Sequence, residues 1–264
     1  MTTKKMKNIS RLLDIAKNEL TVEEAFLGDL KRSIELEDVA NRRPGSNYYK
    51  PSSMHCIRNM YYQRMGTLAD EQLTSSYIMV GICNSGTDTH LRTQTAISHM
   101  KDYGFNCEYV DVAQYIKSHK IKDVQVISKS GMETKLFNTK YQISFLCDGI
   151  IKYKGKYYIL EIKTESSRKW FNRTAPAEEH HNQVTSYSIS LGILKVLFLY
   201  INRDTLDMKS YMFEPTDEMK ANLIGLIENC EGYVKRQIAP PKPNDVERRT
   251  CEYCPYKITC RKEG

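Results

Sequence analysis

Apolar and polar positions change their period several times along the 264 residues. Residues 7–40 carry apolar side chains at helical spacing, and the turn-rich run RRPGSNYYKPSS breaks them at 42–53. A second helical stretch, MHCIRNMYYQRMG, carries Cys56, and residues 77–101 return to helical spacing and include GTDTH. Strand-like runs follow at 107–113, 123–129 and 133–138, then 141–153 and 157–164 as a pair. A helix around 177–192, the strands KVLFLYIN and KSYMFEP, and a helix over about 216–236 come next. The segment APPKPND then ends regular structure and leads into a cysteine-rich tail, CEYCPYKITCRKEG. The sequence holds neither an internal repeat nor a low-complexity tract. Helices, a mixed sheet and more helix predict one α/β domain with additions at both ends.

The pair at 141–153 and 157–164 carries the first chemical signal. Lys154-Gly155 fits a two-residue hairpin turn, which pairs Tyr153 with Lys156. Counting back from the turn, Ile150 faces Ile159 and Asp148 faces Glu161, with Lys163 on the same side. A three-residue loop would set Asp148 against Ile162 instead, a poorer match. Two carboxylates opposed on a sheet repel, and a divalent cation with oxygen ligands is the simplest compensation. Mg²⁺ there could activate water and stabilise a phosphodiester in transition, and Lys163 could orient the nucleophile or neutralise developing charge. Glu-x-Lys alone carries nothing, since Glu133-Thr-Lys135 and Glu218-Met-Lys220 share it. The plainer reading is a solvated edge strand with ordinary surface charges.

Composition bounds the setting. With 41% apolar and 27% charged residues the chain is ordinary for a soluble globular protein, and its length suffices for one large domain. No window reaches the length of a membrane span, and MTTKKMKNISRLL lacks the apolar run of a signal peptide. The expectation is therefore a cytoplasmic protein with no membrane partner, in bacterial, archaeal or infected host cells. Eight cysteines in such a compartment are unlike disulfides. A net charge of +7 suits an anionic partner such as nucleic acid.

Cys251, Cys254 and Cys260 fall within ten residues, one thiol short of a tetrahedral metal site. Sulfur-only ligation suits zinc or an iron–sulfur cluster. Zinc modules usually pair two Cys-x-x-Cys knuckles, whereas one knuckle, one nearby cysteine and a distant fourth better fit a four-iron cubane. Cys56, Cys83, Cys107, Cys147 and Cys230 all compete for the fourth place.

Two further motifs flank the hairpin. In GTDTHLRTQ, Gly86 precedes His90 by four residues, and in EEHHNQVTSYSIS, Gln183 and Tyr187 share one helix face. Taken alone, either reads as packing or surface. The order Gly-x-x-x-His, Asp, Glu-x-Lys, Gln-x-x-x-Tyr resembles the PD-(D/E)XK nuclease superfamily, and within it the RecB-like branch. One upstream cysteine followed by Cys-x2-Cys-x5-Cys resembles the iron–sulfur exonucleases of CRISPR adaptation and of the AddB and phage recombination groups, as does SSMHCIRNMYYQRMG with its Cys-x-Arg and tyrosines. The resemblance spans about residues 50–262.

That resemblance implies a restriction-endonuclease-like core, a central mixed β-sheet flanked by helices. It also implies an iron–sulfur staple joining N- and C-terminal segments. Residues 1–49 become a helical extension and 50–264 the nuclease domain with its cysteine cluster at 251–260. It implies Asp148, Glu161 and Lys163 as the catalytic set, with His90, Asp148, Glu161 and the Ile162 carbonyl holding Mg²⁺ or Mn²⁺. Gln183 and Tyr187 contact DNA or support the site. It names Cys56 as the fourth ligand, beside Cys251, Cys254 and Cys260, of a 4Fe–4S cluster, with zinc as the alternative. Two positions depart from the family: Phe145 stands where glycine is common, and Leu91 where an acidic residue is common.

The expected function is thus a metal-dependent DNA nuclease, an exonuclease in recombination, repair or CRISPR adaptation. DNA is the expected partner, with a second copy of the chain or a recombination or CRISPR-adaptation protein beside it. The rival readings are a DNA-binding or scaffold protein with a degenerate nuclease core, and a structure-specific endonuclease.

Overall fold

Lys154 and Gly155 turn the chain with φ of 48° and 81°, left-handed at both central positions as a tight two-residue hairpin requires. The surrounding fold is that of a computed structural model, which describes residues 21–41, 45–70, 75–243 and 248–263. Two compact units divide these residues: 21–41 with 75–84, and 45–70 with 85–263 apart from 244–247.

The first unit holds helix α1 (Val22–Ala40). Thr21 caps it, its hydroxyl accepting from the Glu24 amide at 3.3 Å while Glu24 accepts from the Thr21 amide at 3.0 Å, a reciprocal box that satisfies two orphan donors. Residues 7–20 of the expected helical region lie outside the described residues. Helix α3 (Tyr77–Ser98) gives 77–84 to this unit and 85–98 to the other.

In the second unit, five strands form a mixed sheet in the order β1 (Cys107–Val110), β5 (Gly149–Tyr153), β6 (Lys156–Glu165), β7 (Val196–Asn202), β8 (Met208–Phe213). Only β6 and β7 run parallel within it. Their near-continuous apolar runs follow from burial on both faces. On one face Ile150, Ile159, Val196, Phe198 and Tyr200 join the main core, and on the other Ile151, Leu160, Ile162 and Ile201 form a second. The β6-to-β7 crossover contains α5 (Ser167–Phe171) and α6 (His181–Leu191). Against α6 packs α7 (Asp217–Arg236), which also touches α2 (Ile57–Arg64).

Several expectations need correction. The run 141–153 is not one strand: β4 (Ile143–Cys147) belongs to a separate three-stranded sheet with β2 (Val124–Ser130) and β3 (Glu133–Asn138), and the chain changes sheets at Asp148. Apolar alternation runs through the break, so periodicity alone does not reveal it. The strand expected over 107–113 stops at Val110, because the Asp111 carboxylate accepts from the Gln114 amide at 2.9 Å and starts helix α4 (Val112–Ser118). Cys56 is not inside a helix but caps the start of α2 with extended backbone. The tail, expected to be irregular, contains α8 (Arg248–Glu252) and α9 (Lys257–Lys262). No helix among the described residues is long and apolar enough to cross a membrane.

Candidate active site

The hairpin ladder runs from Tyr153–Lys156 back to Gly149–Leu160, the register its turn dictates. Asp148 lies one residue beyond the ladder, at the change of sheets. Its carboxylate reaches across to β6, accepting from the Ile162 amide at 2.6 Å through one oxygen, while the other lies 3.2 Å from His90 Nδ1. Glu161 projects from β6 on the α6 side and is 2% exposed. Lys163, two residues on and so on the same face, sits 2.6 Å from Glu161 Oε1.

Helix α6 supplies the second layer. Gln183 Nε2 donates to Glu161 Oε1 at 2.8 Å, and its carbonyl oxygen accepts from Lys163 Nζ at 3.1 Å. Tyr187, one turn later on the same helix face, lies 2.8 Å from Gln183 Nε2 and donates to the Leu146 carbonyl at 3.1 Å. Phe145 stacks on the Tyr187 ring with centroids 5.1 Å apart. Helix α3 supplies the third wall: Gly86 lies close to β6, where an added Cβ would meet Thr164 Oγ1 at 3.4 Å.

Burial raises the Glu161 carboxyl above its usual range, against the pull of Lys163, and the Asp148 charge adds to the rise. Burial depresses the His90 imidazole, but the hydrogen bond and charge of Asp148, with Glu161, outweigh it and leave the ring more basic than usual. Burial pushes the Tyr187 phenol far up, holding it neutral. Two carboxylates thus lie within electrostatic reach of each other, with the Lys163 ammonium against Glu161.

Two networks result, His90 and Asp148 with the Ile162 amide, and Glu161 and Lys163 with Gln183 and Tyr187; they adjoin on β6, where Ile162 lies between Glu161 and Lys163. Ile162 turns its side chain to the opposite face and presents its amide to Asp148. The donor set, one imidazole and two carboxylates, has the hard-ligand chemistry of a divalent cation. Among the described residues, however, no group of three or more His, Cys, Asp or Glu side chains is gathered as a metal ion requires.

Two residues at this site escaped the sequence reading. Gln94 donates to the Asp148 carbonyl at 2.7 Å and Tyr109 donates to the same oxygen. Gln94 had a signal available, since it closes the quoted GTDTHLRTQ one turn beyond His90. Tyr109 had none, because it comes from a strand separated from the hairpin by three others in sequence.

The cysteine tail docks on the segment 56–70. Asp70 caps α9, accepting from the Ile258 amide at 2.6 Å and from the Thr259 hydroxyl at 2.6 Å. Tyr62 donates to Glu263 at 2.6 Å, and Asn59 Nδ2 lies 3.8 Å from Cys254 Sγ. Cys56, Cys251, Cys254 and Cys260 are all partly buried free thiols. Burial pushes Cys254 up to about 11, with the Cys56, Cys260 and Cys251 charges adding to the rise. Burial likewise raises Cys56, where backbone amides of Asn59 and Arg58 pull the other way. Of the competitors, Cys83 is exposed, whereas Cys107, Cys147 and Cys230 are buried. Cys230 also lies within electrostatic reach of Cys56.

No protein-family model matches the chain, and no curated protein matches it. Among solved structures it is similar to SSO0001, with 18% identity, a TM-score of 0.49, and coverage of 90% of this chain and 99% of that one. It is also similar to the alkaline exonuclease LHK-Exo from Laribacter hongkongensis, with 12% identity, a TM-score of 0.42, and coverage of 78% and 93%. The same exonuclease in complex with dAMP gives 14% identity, a TM-score of 0.41, and coverage of 72% and 89%. Likenesses this distant leave function to be read from the side chains.

Proposed function

We propose that the protein is a divalent-metal-dependent nuclease that hydrolyses phosphodiester bonds in DNA. The observation that carries this reading is the buried Glu161, joined to Lys163 at 2.6 Å and within electrostatic reach of an Asp148 carboxylate held by Ile162 and His90. Burying two carboxylates beside one lysine is costly for a protein that gains nothing from it. Asp148, Glu161, His90 and the Ile162 carbonyl would hold Mg²⁺ or Mn²⁺. Such an ion, when bound, supplies an activated water and a Lewis acid for the phosphoryl oxygens.

The chain's own groups do the rest. Lys163 Nζ places positive charge where the phosphodiester becomes more negative. Gln183 holds both Lys163 and Glu161 from one amide, which fixes their relative orientation. Tyr187 anchors that amide through the Leu146 carbonyl. A net charge of +7 favours a polyanionic substrate.

The order of the motifs further supports a restriction-endonuclease-like core of the RecB-like branch acting as an exonuclease in recombination, repair or CRISPR adaptation. In the same reading Cys56, Cys251, Cys254 and Cys260 would hold a 4Fe–4S cluster that staples the tail to α2, with zinc as the alternative. Their all-thiol chemistry and mutual electrostatic effects fit a soft metal centre, and site formation on metal uptake is ordinary for such sites.

The test is incubation of pure protein with linear and circular, single- and double-stranded DNA, with Mg²⁺, Mn²⁺ or EDTA. The expected result is metal-dependent loss of linear DNA with closed circles intact. Cleavage of closed circles would make the enzyme an endonuclease, and no cleavage of any DNA with either metal would overturn the proposal.

A further inference from the structure

Asp148 stands where two sheets part, after β4 ends at Cys147 and before β5 begins at Gly149. Its carbonyl lies outside both strand ladders, and a buried carbonyl needs donors from elsewhere. Two side chains from two different elements provide them. Gln94, 1% exposed on α3, reaches the oxygen at 2.7 Å, and the Tyr109 hydroxyl of β1 reaches it as well. Gly149 makes room for this grip, since a Cβ there would lie 2.4 Å from the Tyr109 hydroxyl oxygen.

A peptide plane gripped from two sides has a fixed direction, and with Cys147 before it held in the β3–β4 ladder the Cα–Cβ bond of Asp148 is fixed as well. We propose that Gln94 and Tyr109 are positioning residues that set the direction of the Asp148 carboxylate. This deepens the nuclease reading and rests on it for its functional consequence. The clamp explains how a residue outside any strand holds one oxygen 2.6 Å from the Ile162 amide and the other 3.2 Å from His90. Neither clamp residue touches the reacting atoms, and both act through Asp148.

The test uses two readouts that differ from cleavage. In metal-free protein labelled with ¹⁵N-isoleucine, the Ile162 amide proton reports its short bond to the Asp148 carboxylate, with Asp148→Ala as the unbonded reference. Free Mn²⁺ followed by electron paramagnetic resonance reports affinity for the cation. Tyr109→Phe and Gln94→Met keep side-chain volume and remove the donors. Each is expected to move the Ile162 amide toward its Asp148→Ala position and to weaken Mn²⁺ binding about tenfold, as loss of outer-sphere support does elsewhere. A role confined to satisfying a buried carbonyl would lower the melting temperature and leave both readouts at their wild-type values, and that result overturns the proposal. Should Gln94→Met fail to fold, Tyr109→Phe decides alone. Wild-type protein that binds no Mn²⁺ sinks the metal-dependent reading, while the Ile162 amide still decides the clamp.

Discussion

At the scale of single residues, Lys163 separates charge from fold. Its ammonium is the cation beside Glu161, at 2.6 Å. Lys163→Ala leaves a buried carboxylate without that partner, but burial already raises Glu161 and loss of the lowering pull of Lys163 raises it further, so the group escapes the penalty by taking up a proton. The protein is expected to stay folded by circular dichroism while metal-dependent DNA cleavage falls by about a hundredfold or more. Asp148→Asn should remove cleavage to a similar degree, since the amide keeps the shape but not the charge. The triplet at 161–163 and the turn at 154–155 were legible because pleat and turn geometry leave little freedom once a two-residue loop is assumed. The clamp on the Asp148 carbonyl was not, since Gln94 and Tyr109 lie far from Asp148 in sequence and no local period links them to it.

At the scale of elements, the tail is held by polar contacts that need no metal. Asp70 satisfies the first-turn amides of α9 from across the fold, work that a helix's own N-cap usually does. Asp70→Ala is expected to cost about 1 kcal/mol and to speed amide exchange over residues 254–263 more than in the strands of the central sheet. Unchanged exchange there would mean that other contacts hold the tail. The sequence revealed that the cysteines lie in a tail after the Pro-rich break, but not that short helices carry Cys251 and Cys260 on either side of Cys254. Helices of five and six residues are too short for a periodic signal, and α9 depends on a cap supplied by a residue almost two hundred positions away. The strand run at 141–153 misled for the opposite reason, because a strong apolar pattern spans two strands that belong to different sheets.

For the whole molecule, pH and salt give separate predictions. Burial pushes His180 down to about 3, with Lys163 and Arg173 adding to the effect, so the folded protein keeps this ring neutral. The unfolded chain takes up the proton below its ordinary value of 6.5, and stability is lost as pH falls from there toward 3. Equilibrium unfolding should show a loss of up to about 1.4 kcal/mol per pH unit from this group, and His180→Gln should remove that part of the slope. Salt acts on the partner instead. Affinity for DNA should fall linearly in log–log form, with a slope near −0.9 per phosphate contacted on duplex, and with little preference for sequence. The mixed sheet and its flanking helices could be read from alternating periods, whereas the second sheet could not, since strand pairing is set by tertiary contacts.

Hydrolysis of linear DNA by Glu161→Ala, compared with wild type and with Glu133→Ala in the decoy triplet, tests the central claim most directly. With Mg²⁺ or Mn²⁺ present, wild type and Glu133→Ala are expected to cleave, and Glu161→Ala to be inactive although folded. Wild-type rates from Glu161→Ala would contradict the assignment of the site.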